Sequence, residues 1–176
     1  ADVDADGHAT IGGLRLVDLA AEFGTPLFVY DEDHLRARCR ESVEAFGDGV
    51  AYSTNAFLCK AMARLAHEDG MYLDVATGGE LYVALAAGVP ADRLVLHGNN
   101  KSVRELEMAI EQGIGRIVVD SFDELLRLDD IHDRTGVVPQ VLLRLTPGVN
   151  AHTHEFIATG QDDSKFGFTV SNGTAE

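Results

Sequence analysis

Five apolar stretches of the chain end in residues that can bind or react: Thr54-Asn55, Asp74, His97-Gly98-Asn99-Asn100, Asp120 and Arg144. Carboxylate, carboxamide and imidazole groups exchange protons or hydrogen bonds. A guanidinium holds a carboxylate or phosphate through two parallel hydrogen bonds. In parallel α/β folds the C-terminal ends of the strands share one rim, and the chemistry sits there. The pattern therefore predicts a site for a small anionic ligand. A single Asp before a helix is more often an N-cap, and Asp120, directly ahead of Ser121, is read that way.

The elements that would carry these residues recur at a nearly fixed step. Apolar runs begin at Leu27, Val50, Met71, Leu94, Ile117 and Val141. Between them lie helical patterns. Leu58 to Glu68 places Leu58, Met62, Leu65 and Ala66 on one stripe, and Gly79 to Ala87 stops at Gly88-Val89-Pro90. Ser102 with Glu105 forms a capping box, Gly113 closes that helix, and Phe122 to His132 makes the next. Short, almost wholly apolar strands alternating with helices indicate a parallel sheet covered on both faces. No G-x-G-x-x-G follows the first strand, and Gly78-Gly79 and Gly113-Ile114-Gly115 lack phosphate-loop spacing. The α/β class therefore points to a (β/α)8 TIM-type barrel rather than a doubly wound sheet. At 176 residues the chain is shorter than the roughly 250 of a closed barrel. About five of eight strands are expected.

Composition narrows the partners. The formal net charge of -15 repels nucleic acid and anionic membrane surfaces, so neither is expected. No apolar run approaches the roughly 20 residues of a membrane span, and the acidic start Ala1 to Gly7 is no secretory n-region. Cytoplasmic residence is the default expectation. Cys39 and Cys59 are too few for a disulfide framework and read as small buried hydrophobes. His152-Thr153-His154 lacks the third ligand a metal site needs, so no metal is expected. Arg36, Arg38 and Arg40 with Glu41 and Glu44 read as a solvated helix face.

Ordered blocks along the chain resemble diaminopimelate decarboxylases. They are Gly24-Thr25-Pro26-Leu27-Phe28-Val29-Tyr30-Asp31, Phe57 to Lys60, Leu73 to Leu81, His97 to Ser102, Val119-Asp120-Ser121, Arg144 to Val149, His152 to Ile157 and Ser164-Lys165-Phe166-Gly167. The resemblance implies a pyridoxal-phosphate enzyme of the alanine-racemase-like barrel class. Such an enzyme converts meso-diaminopimelate to L-lysine and carbon dioxide in lysine biosynthesis, with the cofactor as electron sink. It further implies a homodimer acting on a small amino acid, with Asp74, Glu80, His97, Asn99 and Arg144 around the cofactor. Residues 1–46 would be an N-terminal segment whose strand Leu27 to Tyr30 belongs with a second domain. Residues 47–176 would be an incomplete cofactor-binding barrel, the N-terminal portion of the enzyme with its C-terminal β-domain absent. The start at Ala1 rather than Met fits a processed end or a piece of a longer chain.

One position departs from the family's chemistry. The lysine that holds the cofactor as an imine falls in a Tyr-Ala-x-Lys-Ala pattern, and this chain reads Tyr52-Ser53-Thr54-Asn55-Ala56. An amide nitrogen is delocalised into its carbonyl and does not form an imine, which requires an amine. Lys60 lies on the following helix, and Lys101 and Lys165 match lysines the family already has. The chain is therefore expected to be inactive. Two other readings follow from the same residues: a non-catalytic relative that binds or regulates an active decarboxylase, and an ornithine or arginine decarboxylase of the same fold class.

Overall fold

A computed structural model describes residues 1–149 and 166–175. The chain divides into two units, Ala1–Val50 and Ala51–Glu176.

In the first unit three short strands, β1 (Asp2–Val3), β2 (Ala9–Ile11) and β3 (Leu14–Arg15), pair antiparallel. The β2–β3 loop is Gly12-Gly13, both at positive φ (57° and 79°), the geometry a two-residue hairpin requires. Arg15 Nε lies 2.5 Å from Asp4 Oδ2, and its guanidinium also pairs with Asp6. Helix α1 (Leu16–Phe23) follows. Helix α2 (Glu32–Phe46) is capped by the Asp31 carboxylate, which accepts from His34 N at 3.2 Å. On its solvated face Arg36 Nε lies 2.9 Å from Glu32 Oε1, and Arg38 pairs with Glu41. Cys39 is buried, as expected. The expected strand over residues 27–30 does not form: the segment joins no ladder, and Phe28 is 87% exposed.

The second unit is built on a five-stranded parallel sheet whose order follows the chain. It comprises β4 (Ala51–Ser53), β5 (Tyr72–Val75), β6 (Leu94–Leu96), β7 (Arg116–Val119) and β8 (Val141–Leu143). Helices α3 (Lys60–Glu68), α4 (Gly78–Ala86), α5 (Val103–Gln112) and α6 (Phe122–Thr135) separate successive strands. Strictly sequential parallel order is what a partial barrel shows, whereas a doubly wound sheet reverses order at a switch point. Beyond Arg144 the pattern continues in a short parallel ladder between β9 (Leu145–Thr146) and β10 (Phe168–Thr169).

The core lies between the middle strands and the helices. Leu73, Val75, Leu94, Leu96, Ile117 and Val119 are fully buried, packed with Ala63, Ala66, Leu81, Ala84, Leu106, Ala109 and Ile131. Burial on both faces does not extend to β8, where Val141, Leu142 and Leu143 are exposed. That strand is the edge of the sheet, and no helix follows it among the described residues. Cys59 is also not the buried hydrophobe expected. It is exposed and caps α3, its sulfur accepting from Met62 N at 3.5 Å, so the helix begins at Lys60 rather than Leu58. No helix among the described residues is long and apolar enough to cross a membrane.

Candidate active site at the strand C-termini

In the five-stranded sheet the apolar runs give way to polar residues at or just past the strand C-termini, and the register aligns those ends. Ser53 pairs with Asp74, Val75 with Leu96, and Val119 with Leu143. These polar residues therefore converge on one rim. There an open cleft of about 170 Å³ is lined by Ser53, Asn55, Asp74, Ala76, His97, Gly98 and Arg144. Four residues singled out from the sequence line it together: Asn55, Asp74, His97 and Arg144.

The groups form a graded polar surface. Ser53 Oγ lies 2.9 Å from Asn55 Oδ1 and 3.4 Å from Asp74 Oδ2, so its one proton serves one of two acceptors at a time. His97 Nδ1 lies 3.3 Å from Asp74 Oδ1, which fixes the imidazole against the carboxylate. Thr54, buried just past the end of β4, ties that strand to β5: its amide and its hydroxyl both donate to Asp74 O, at 3.0 and 2.8 Å. Arg144 crosses the rim with its guanidinium 4.3 Å from the centre of the Phe166 ring, within cation–π range. Its Nη1 lies 3.7 Å from Asp120 Oδ1.

Asp120 is not the helix cap its sequence position suggests. Ser121 takes that place, accepting from Glu124 N at 3.3 Å. The Asp120 carboxylate is instead buried behind the rim, and neither oxygen has a hydrogen-bond partner among the described residues. The reason is local: Ser121 is one residue nearer the helix, and its short side chain reaches the N3 amide. Sequence reasoning therefore missed the partner of Arg144, although Asp120 stands at a strand end like the others.

Two further nominated residues lie outside the cleft lining. Glu80 completes a capping box on α4, accepting from Ala76 N at 2.6 Å and Thr77 N at 3.2 Å. It braces the Ala76 wall from behind. Asn99 sits in the bend after β6, half-buried. The His152 to Ile157 block and Ser164-Lys165 fall outside the described residues.

The helix N-termini around the rim are satisfied from within. Ser102 and Glu105 form a full capping box on α5, and Glu105 Oε1 also accepts from Gly78 N at 2.9 Å. Burial raises the Glu105 pKa, but bonds from the Ser102 and Gly78 amides and the Ser102 hydroxyl, with the Lys101 charge, outweigh it. The carboxyl ends below its ordinary value. Among the described residues no lysine lines the cleft. Lys101 is 2% exposed, with its ammonium committed to Gly98 O, Val118 O and Glu124. Lys60 is the first residue of α3 and also stands outside the lining.

Residues 32–176 match the family described as pyridoxal-dependent decarboxylase, pyridoxal binding domain. The diaminopimelate decarboxylase of Mycobacterium tuberculosis is 56% identical over 174 residues, covering 98% of this chain and 39% of its own length. That of Bacillus subtilis is 53% identical over 175 residues, covering 97% of this chain and 40% of its own length. Among solved structures, diaminopimelate decarboxylase from M. jannaschii in co-complex with L-lysine superposes with a TM-score of 0.88 at 35% identity. That match covers 97% of this chain and 42% of the other. The chain thus spans about two fifths of the length of these relatives.

Proposed function

Since the chain belongs to the pyridoxal-dependent decarboxylases, through their pyridoxal-binding domain, we propose that its rim is the cofactor face of a diaminopimelate decarboxylase. The parent reaction would be loss of carbon dioxide from meso-diaminopimelate to give L-lysine. The observation that carries this reading is the convergence of Asp74, His97 and Arg144 on one cleft, in a chain 50 to 56% identical to proteins of that name. Arg144 would hold an anionic group of the ligand through paired hydrogen bonds. Asp74 would set the orientation of His97. Glu80 and Asn99 would act at one remove, by shaping the loops after β5 and β6. A homodimer with an amino-acid substrate, resident in the cytoplasm, belongs to the same proposal.

Pyridoxal phosphate supplies an electron sink where it is bound, and covalent attachment to a lysine is the part of the fit this cleft does not meet. Asn55 stands at the attachment position, and the ammonium of Lys101 is enclosed by three acceptors. No catalytic step is therefore assigned to this chain, which would bind the cofactor reversibly and release no lysine.

Borohydride reduction after incubation with pyridoxal phosphate tests both parts. The native chain should quench cofactor fluorescence on binding yet show no covalent mass gain. Asn55→Lys should gain one pyridoxyl group at residue 55. A reduced adduct on the native chain would overturn the claim of reversible binding, and no binding at all would overturn the cofactor reading.

A further inference from the structure

Behind the cleft lie two charged side chains that the proposed site does not use. Lys101 is 2% exposed and Glu124 3%, and Lys101 Nζ lies 2.7 Å from Glu124 Oε1. Lysine and glutamate are almost never so deeply buried unless paired. Even then, exchanging such a pair for well-packed apolar side chains is often neutral or stabilising. Stability alone gives little reason for this pair.

Its remaining hydrogen bonds lead to the cleft. Lys101 Nζ donates to Gly98 O at 2.5 Å and to Val118 O at 2.7 Å. Gly98 lines the cleft beside His97 and holds φ at +107°, a backbone conformation with no side chain of its own to anchor it. On the other side, Glu124 Oε2 accepts from Asp120 N at 3.2 Å, and the Asp120 carboxylate faces Arg144. Arg127 Nη1 donates to Lys101 O at 2.7 Å, fastening the same segment to α6. One ion pair thus grips the loops after β6 and β7 together. Each of these loops carries a cleft residue or the carboxylate behind one.

We propose that the Lys101–Glu124 pair is a positioning element of the cleft. It fixes the His97-Gly98 loop through the Gly98 carbonyl, and the Arg144 guanidinium through Asp120. The charges serve as paired anchors for backbone groups that an apolar pair would leave unheld. For ligand affinity this inference rests on the cofactor reading above; for the geometry of His97 it does not.

The test is the double variant K101M/E124L in the full chain, which removes both charges and strands neither. Thermal melting reports the fold, and the NMR signals of the His97 imidazole, identified with H97Q, report the loop. Fluorescence titration with pyridoxal phosphate reports the ligand site. A cooperative melt lowered by the partners lost at Gly98 O, Val118 O and Asp120 N, displaced His97 ring signals and an affinity about tenfold weaker are expected. Native values in both site readouts would overturn the proposal. If the native chain binds no pyridoxal phosphate, the cofactor reading fails and the His97 ring signals alone decide this one. Should the double variant not fold, K101R decides in its place. It keeps the charge against Glu124 but cannot donate to Gly98 O in the same geometry, so it should move His97, and an unmoved His97 would overturn the proposal.

Discussion

Asn55 Oδ1 lies 2.9 Å from the hydroxyl of Ser53, and that hydroxyl is 3.4 Å from the carboxylate of Asp74. Asn55 is thus an exposed member of a short polar chain, with no share in the core. Asn55→Ala should therefore leave the fold almost untouched, within about 0.5 kcal/mol. Thermal melting checks this; a shift beyond about 5 °C, more than a kilocalorie for a domain this size, would mean that Asn55 holds structure.

The adjacent residue behaves oppositely. Thr54 is 1% exposed, and its hydroxyl donates to the Asp74 carbonyl. Thr54→Val keeps the shape and the amide bond to the same oxygen, but removes one buried hydrogen bond at the point where β4 meets β5. A loss of about 1 to 1.5 kcal/mol is expected, read as a lower urea midpoint with unchanged slope.

These neighbours show what could be read from the sequence. The switch from an apolar run to polar residues makes Thr54-Asn55 a strand end, and the same signal locates Asp74, His97 and Arg144, which do share a cleft. Period and hydrophobicity act locally, so β6, β8 and the capping box of α5 were legible to the residue. The antiparallel strands of residues 2–15 were not recognised, since two- and three-residue strands are too short to show a period. Residues 27–30 look like a strand but find no ladder, because pairing depends on a partner that local sequence does not specify. The Asp120–Arg144 pair and the deeply buried Lys101 were illegible for the same reason. Their roles are set by contacts 24 and 23 residues apart (144 − 120 and 124 − 101).

Gly167 should be sensitive on two counts. Its φ is +73°, and a Cβ there would meet Arg144 O at 2.6 Å and Arg144 Cγ at 3.1 Å. The same carbonyl accepts from Phe168 N at 2.8 Å, so relief would have to break the β9–β10 register. Gly167→Ala should cost about 2 to 3 kcal/mol and weaken cofactor binding through displacement of Arg144. A variant with native melting and native affinity would show that Arg144 tolerates the shift.

Glu105 gives the fold a defined pH response. Burial alone would raise its pKa, but the bonds from Ser102 and Gly78 and the charge of Lys101 hold it below its ordinary value of 4.5. A carboxyl depressed in the folded state stabilises it above that ordinary value. The contribution fades as pH falls from 4.5 through the lower folded value, because the unfolded chain takes up the proton first. Glu105→Gln removes the charge and turns an amide NH2 toward the donors of either Ser102 or Gly78. At pH 7 the variant should be about 1 kcal/mol less stable. Native and variant urea midpoints should then converge as pH drops below 4.5. Other carboxyls titrate there too, but they are common to both proteins and cancel in the difference. A difference that stays constant from pH 7 to acid would mean that the carboxylate's charge contributes nothing, and that Glu105 acts only as a neutral acceptor.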